Sequence, residues 1–236
     1  ALMARWRAVP FTAPIIGNYQ LTRFVAELDA PSAAKQAEEP NADTLLQSEA
    51  LSILQDFLPE NGHMLFDAGN CAASALHYLT MPKGSSGTIA LGMGGMGYSI
   101  PAAIGAQIES DLQTQTTVIC GDGAFLMLGL EVHTAVELGL PILFVVFNNN
   151  KHGMCVTRQQ LFFEGRTEAT EYNKIDIENV SRGLATPEHL WAQSVSTGEQ
   201  MRQALVDFSN QTVKKPGVLE LHLPLEELPP FSPFLP

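Results

Sequence analysis

Cysteine and basic residues are both scarce in this chain, and each scarcity removes a class of function. The three cysteines, Cys71, Cys120 and Cys155, are too few and too scattered for a disulfide framework or a C-x-x-C metal site. The cytoplasm, where thiols stay reduced, is therefore the expected compartment. Only 13 Lys and Arg stand against 25 Asp and Glu, a formal net charge of -12. That balance leaves no electrostatic footprint for nucleic acid or an anionic membrane surface. Long apolar runs are also missing: none approaches the roughly 20 residues that cross a bilayer, and the opening ALMARWRAVP lacks the apolar core of a secretory signal. No initiator methionine stands at Ala1, so a processed product, a trimmed chain and a fragment are all open.

What the chain does have is apolar content, 45% over 236 residues, enough to bury a sizeable core. Residues 29–41, DAPSAAKQAEEPN, carry no sustained apolar period and read as a linker or exposed arm. The expected division is an extension at 1–43, one domain at 44–223 and a proline-rich tail at 224–236 that packs as a strap or hangs free. Within the domain, helix and strand alternate. An amphipathic run at Leu45, Leu46, Leu51, Leu54 and Leu58 precedes the short apolar stretch HMLFDAG. Then follow TIALGM, PAAIGAQIES, TTVICGDG, the helical AFLMLGLEVHTAVELGL, and PILFVVFNNN. Continuous apolar runs such as Ile142 to Phe147 suit strands covered on both faces. Ser196 and Glu199 have capping-box spacing at the start of STGEQMRQALVDF, ahead of a last strand GVLELHL. The fold class is α/β, a doubly wound parallel sheet with helices on both faces.

In such a sheet, ligands bind at the carboxyl ends of the strands, where loops meet helix N-termini and main-chain N–H groups favour anions. Four loops there are rich in Gly or Asn: DAGNCA, GMGGMGYS, GDGAF and NNNKHGM. In GDGAF, Gly121 and Gly123 permit a tight turn and close approach, while Asp122 offers a hard anionic oxygen for magnesium. Asn149 stands 27 positions later, at the end of the next apolar strand, which a crossover returns beside Asp122. Magnesium held by few protein oxygens takes its other ligands from water and phosphates, so the pair points to a diphosphate. The plainer alternatives are a helix N-cap for Asp122, a turn residue for Asn149 and a core side chain for Met96. His152 is suited either to moving protons or to bonding a main-chain carbonyl.

GDG followed by about 26 residues and NN resembles the signature of thiamine diphosphate enzymes. LGMGGMGYSIPAAIGAQ, EVHTAVELGLPI and NNNKHGMCVTRQQLFFEGR resemble the acetolactate synthase branch, in matching order from about residue 45 to 222. The resemblance implies a diphosphate-binding domain, with Asp122 and Asn149 holding Mg2+ by side chain and Lys151 by its main-chain oxygen. It places Ala68, Gly69, Asn70 and Cys71 near the diphosphate, together with Gly121, Gly123, Ala124, His152, Gly153 and Met154. Gly94 and Met96 would hold the aminopyrimidine ring, with Met96 wedging the cofactor into a bent shape. Chemistry then belongs to the cofactor, and the protein supplies orientation and a dry cavity.

The implied reaction decarboxylates a 2-oxo acid and passes the acyl carbanion to an acceptor. Simple decarboxylation and a non-catalytic regulatory domain are the alternatives. The family's activating glutamate lies on a separate pyrimidine-binding domain, for which the 43 upstream residues are too few. A partner chain is therefore expected, in a hetero-oligomer with two or four copies of each. Two positions depart from the pattern: Cys71 replaces a common histidine, and Arg158 replaces a tryptophan of the MVxQWQ pattern. A cation at Arg158 suggests an acidic acceptor, so His152 and Arg158 are the candidate catalytic residues.

Overall fold

The structure, a computed structural model, describes residues 44–110, 114–224 and 227. The expected extension at 1–43 lies outside the described residues, as does the tail apart from Pro224 and Glu227.

The amphipathic run forms helix α1 (Gln47–Gln55), which buries Ala50, Leu51, Ile53 and Leu54 on one stripe. Strand β1 (His63–Phe66) follows, then α2 (Asn70–Tyr78), β2 (Ser86–Ile89) and α3 (Ser99–Glu109). Strand β3 (Thr116–Gly121) runs directly into α4 (Asp122–Leu128), a single 3-10 turn at Gly129–Glu131, and α5 (Val132–Glu137). Beyond β4 (Ile142–Asn148) come α6 (Gly153–Phe162), α7 (Ile177–Arg182), β5 (Trp191–Val195), α8 (Gly198–Ser209) and β6 (Gly217–His222).

Six strands pair in the order β2-β1-β3-β4-β6-β5, every pair parallel. Side-chain alternation along the central strands builds two cores. Leu143, Val145 and Phe147 of β4 face α1, α2 and α8, while Ile142, Phe144 and Val146 face α3, α4, α5 and α7. Both faces of the sheet are covered, and all seven residues of β4 are buried, as its unbroken apolar run requires. The chain leaves β1 toward β2 on one side and returns to β3 on the other. That reversal between β1 and β3 opens a crevice at the carboxyl ends of the strands.

Two local expectations are corrected. AFLMLGLEVHTAVELGL is not one helix. It breaks at Gly129, whose ideal Cβ would lie 2.6 Å from the Phe125 ring, so chain and ring share a space open only to glycine. The capping box sits one residue later than Ser196 and Glu199: Thr197 is the N-cap and accepts from Gln200 N at 3.3 Å, while Gln200 Oε1 accepts from Ser196 N at 2.9 Å. Ser196 is held at the strand end because its carbonyl accepts from Leu45 N.

Asp67, fully buried just past β1, fixes the crevice wall. Its carboxylate accepts from Ala68 N at 2.9 Å, Gly97 N at 2.8 Å, Ser99 N at 2.8 Å and Ser99 Oγ at 2.6 Å. One anion thus ties the glycine-rich loop and the first turn of α3 to the sheet. Asp67→Ala leaves these donors without their acceptor and is expected to cost about 3 kcal/mol. Urea unfolding measures the loss, and amide exchange at Gly97 and Ser99 should accelerate.

Candidate functional site

The loops after β1, β3 and β4 line one cleft that encloses ≈ 620 Å³ of free space, part of it open to solvent. Ala68, Gly69, Asn70 and Cys71 line it from the β1 side, with Asn70 and Cys71 in the first turn of α2. Gly69 has φ +138°, a conformation that favours glycine, and this turn presents the start of α2 to the cleft. Gly121, Asp122, Gly123 and Ala124 line it from β3 and α4. Asn149, Lys151, His152, Gly153 and Met154 line it from the loop after β4. Met96 reaches it from the loop before α3 and also packs against the second core, so the core and cleft readings both describe its position.

Two expected residues are not brought there. Gly94 sits in an exposed turn with φ +66°, donating its N–H to the Ala90 carbonyl. Arg158 is exposed on α6 and is not among the cleft-lining residues. Cys120 is fully buried in β3, and burial first, then the nearby Asp67, Cys71 and Asp122, push its thiol up, which makes it inert.

Asp122 is the electrostatic centre, 2% exposed at the start of α4. Its Oδ1 accepts from Gly123 N at 2.8 Å and its Oδ2 from Asn150 N at 2.6 Å. Burial raises its pKa above the ordinary carboxylate value, while the approach of the Tyr172 hydroxyl and the N–H groups of Gly123, Asn150 and Asn149 pull it down. Asn149 Oδ1 accepts from Lys151 N at 3.1 Å, which curls the loop back on itself. Asn150 adopts φ +55°, and its side chain accepts from Ile175 N at 3.0 Å.

The segment around residues 170–175 was not singled out from the sequence, yet it backs the loop after β4 that lines the cleft. Thr170 O accepts from His152 N at 2.8 Å, Tyr172 N donates to Asn150 O at 3.2 Å, and Lys151 Nζ lies 3.3 Å from Glu171 Oε1. Tyr172 meets His152 edge-on, with ring centroids 5.3 Å apart. Gln47, Phe147, Cys155, Leu223 and Glu227 also line the cleft unforeseen. Glu227 is placed by Ser48, whose N and Oγ donate to its carboxylate at 2.8 and 2.7 Å.

Among the described residues, no group of three His, Cys, Asp or Glu stands ready to hold a metal. A cation at Asp122 would instead draw on amide and main-chain oxygens and on the ligand's own oxygens, the regime of magnesium. The Tyr172 hydroxyl approaches the Asp122 carboxylate, and beside it the buried His152 Nδ1 has no hydrogen-bond partner among the described residues. The donor set and the glycine-lined wall suit a hydrated metal and a phosphate group.

A doubly wound parallel sheet with such a cleft at its switch point defines an α/β domain built for a phosphorylated ligand. More specifically, the chain belongs to the thiamine pyrophosphate enzymes: the profile of their C-terminal TPP binding domain matches residues 67–221. It is acetolactate synthase-like. The chain is 29% identical over 197 residues to the acetolactate synthase isozyme 2 large subunit of Escherichia coli K12, an alignment covering 82% of this chain and 34% of that protein. It is 32% identical over 132 residues to the mitochondrial acetolactate synthase catalytic subunit of Saccharomyces cerevisiae, covering 56% and 18%. Identity to the sulfoacetaldehyde acetyltransferase of Castellaniella defragrans is 26% over 215 residues, covering 90% and 35%. The chain spans at most about a third of the length of these relatives.

Asn150 offers a test of the loop alone. Asn150→Ala loses both the left-handed tolerance of Asn and the acceptor for Ile175 N, an expected cost of about 2 kcal/mol. Asn150→Gly restores the first, and the difference between the two variants in denaturant unfolding reads the conformational part.

Proposed function

We propose that this domain holds thiamine diphosphate through Mg2+, with the side chains of Asp122 and Asn149 and the main-chain oxygen of Lys151 as the protein's metal ligands. The observation that carries the reading is the convergence of three glycine- or asparagine-rich strand ends on one buried carboxylate. Bound there, thiamine diphosphate supplies an electron sink for the charge left when a 2-oxo acid loses carbon dioxide. This chain's residues bind and orient. The N–H groups at the start of α2 and α6 would bind the diphosphate, Met96 would support the ring system, and Asp122 would offset part of the cation's charge. In this reading the chain is a holder of the cofactor more than an acid or base.

The reaction class we propose is decarboxylation of a 2-oxo acid with transfer of the acyl fragment to an acceptor, carboligation of the acetolactate type. The acetolactate synthases among its relatives support that choice, and the acetyltransferase that aligns over most of the chain supports transfer over simple decarboxylation. The acceptor is left open, since Arg158 faces solvent.

A second polypeptide segment carrying the pyrimidine-binding domain completes the site, as a separate subunit or a further part of one protein. Its support is an apolar surface beside the cleft: Leu91, Met93, Leu126, Met127 and Leu130 are exposed, Met93 by 94%. Gly97 lies against Leu128, which puts the two segments side by side. Contiguous apolar surface of this kind marks an interaction site. None of the three cysteines forms a disulfide, which supports a cytoplasmic location.

Calorimetric titration of thiamine diphosphate with Mg2+ into the chain, alone and with its partner, tests the reading. Asp122→Ala and Asn149→Ala are each expected to lower affinity at least about a hundredfold, and heat that survives both unchanged rules out this metal site. Leu130→Asp is expected to weaken partner association while leaving the melting temperature of the isolated chain within a few degrees.

A further inference from the structure

Strand β6 reads GVLELH, and its one acidic residue, Glu220, is fully buried. Leu219 and Leu221 face the first core, so Glu220 points with Val218 toward the second. A carboxylate there is tolerable only where donors replace its hydration. Its Oε1 accepts from Asn148 Nδ2 at 2.6 Å and its Oε2 from Glu178 N at 2.9 Å. His222 Nε2 stands 3.9 Å from Oε1, beyond hydrogen-bond reach. A neutral amide of the same shape has a single acceptor oxygen and leaves one of the two donors unmet, so the position calls for a carboxylate.

The bond to Asn148 orients an amide next to Asn149. Asn148 is buried at the end of β4, and because a carboxylate only accepts, Glu220 faces the amide NH2 and leaves the amide oxygen toward the loop. That oxygen accepts from Asn150 N at 3.1 Å, the same N–H that Asp122 Oδ2 holds at 2.6 Å. The NH2 also donates to Ile175 O at 3.2 Å, while Asn150 Oδ1 accepts from Ile175 N at 3.0 Å. Asn149 therefore stands between two residues that are each fixed from outside the loop. Resting on the metal reading above, we propose that Glu220 is a positioning residue for the Mg2+ site, acting through Asn148 to hold the turn that presents Asn149 beside Asp122. Glu220 is not among the cleft-lining residues, so it acts on the metal only through this chain of hydrogen bonds.

The test is Glu220→Gln, which keeps the side chain's shape and removes one acceptor, in the full chain with its partner. Calorimetry with thiamine diphosphate and Mg2+ is expected to give about tenfold weaker binding, as for other residues that back a metal ligand. The same titration with Ca2+, which tolerates looser coordination, is expected to lose less. A role in stability alone would not move the ratio of the two affinities. Asp176→Ala controls for the other arm of Glu220: it takes the N-cap from α7 without touching Asn148, and is expected to bind as the wild type does. Asn148→Ala breaks the chain one link nearer the loop, is expected to reproduce the loss, and serves if Glu220→Gln does not fold. Wild-type affinity in these two variants, equal losses with both cations, or an equal loss in Asp176→Ala overturns the proposal, and binding still lost in Asp122→Ala then leaves the metal reading standing. Absence of binding in the wild type with its partner overturns both.

Discussion

Keeping the Asp122 carboxylate out of water is the constraint around which the carboxyl end of the sheet is arranged. A carboxylate so buried is tolerable only if protein donors replace its hydration. Gly123 supplies one from its own helix, and Asn150 supplies another from across the β3–β4 boundary. The second forces the asparagine loop to turn back, which accounts for the left-handed Asn150 and for the N–H of Lys151 bonding to Asn149. Asp67 repeats the device one strand away, drawing the glycine-rich loop toward β1. Two buried anions therefore set the relative heights of three loops, and the cleft is what remains between them.

Much of this was legible because its markers are chemical. Gly, Asn and Asp cluster at strand ends since they tolerate tight turns and accept main-chain hydrogen bonds, and the unbroken apolar run of β4 announces a strand buried on both faces. The alternation of helix and strand, and the adjacency of β3 and β4, follow from crossover length and stand in the structure. Strand β5 was not legible: WAQSV is short and half polar, and pairs only because β6 offers it an edge. Helix AFLMLGLEVHTAVELGL broke where a ring needed room at Gly129, which periodicity cannot register.

At the site, loop residues were easier to assign than the residues that back them. Ala68 through Cys71, and Asn149 through Met154, announce themselves by composition and resemblance. Glu227 reaches the cleft through tertiary hydrogen bonds from Ser48, far away in sequence, and comes from a stretch with no pattern of its own. Arg158 was conspicuous as a departure from a familiar pattern, but the helical phase of α6 turns it outward.

The contact between Ser48 and Glu227 carries a consequence for architecture. It brings the point where the chain enters the sheet domain beside the point where it leaves, so the sheet and both helical layers form a closed loop with a common doorway. A unit built this way can be spliced into a larger polypeptide, joined at either side, or circularly permuted without cutting a strand.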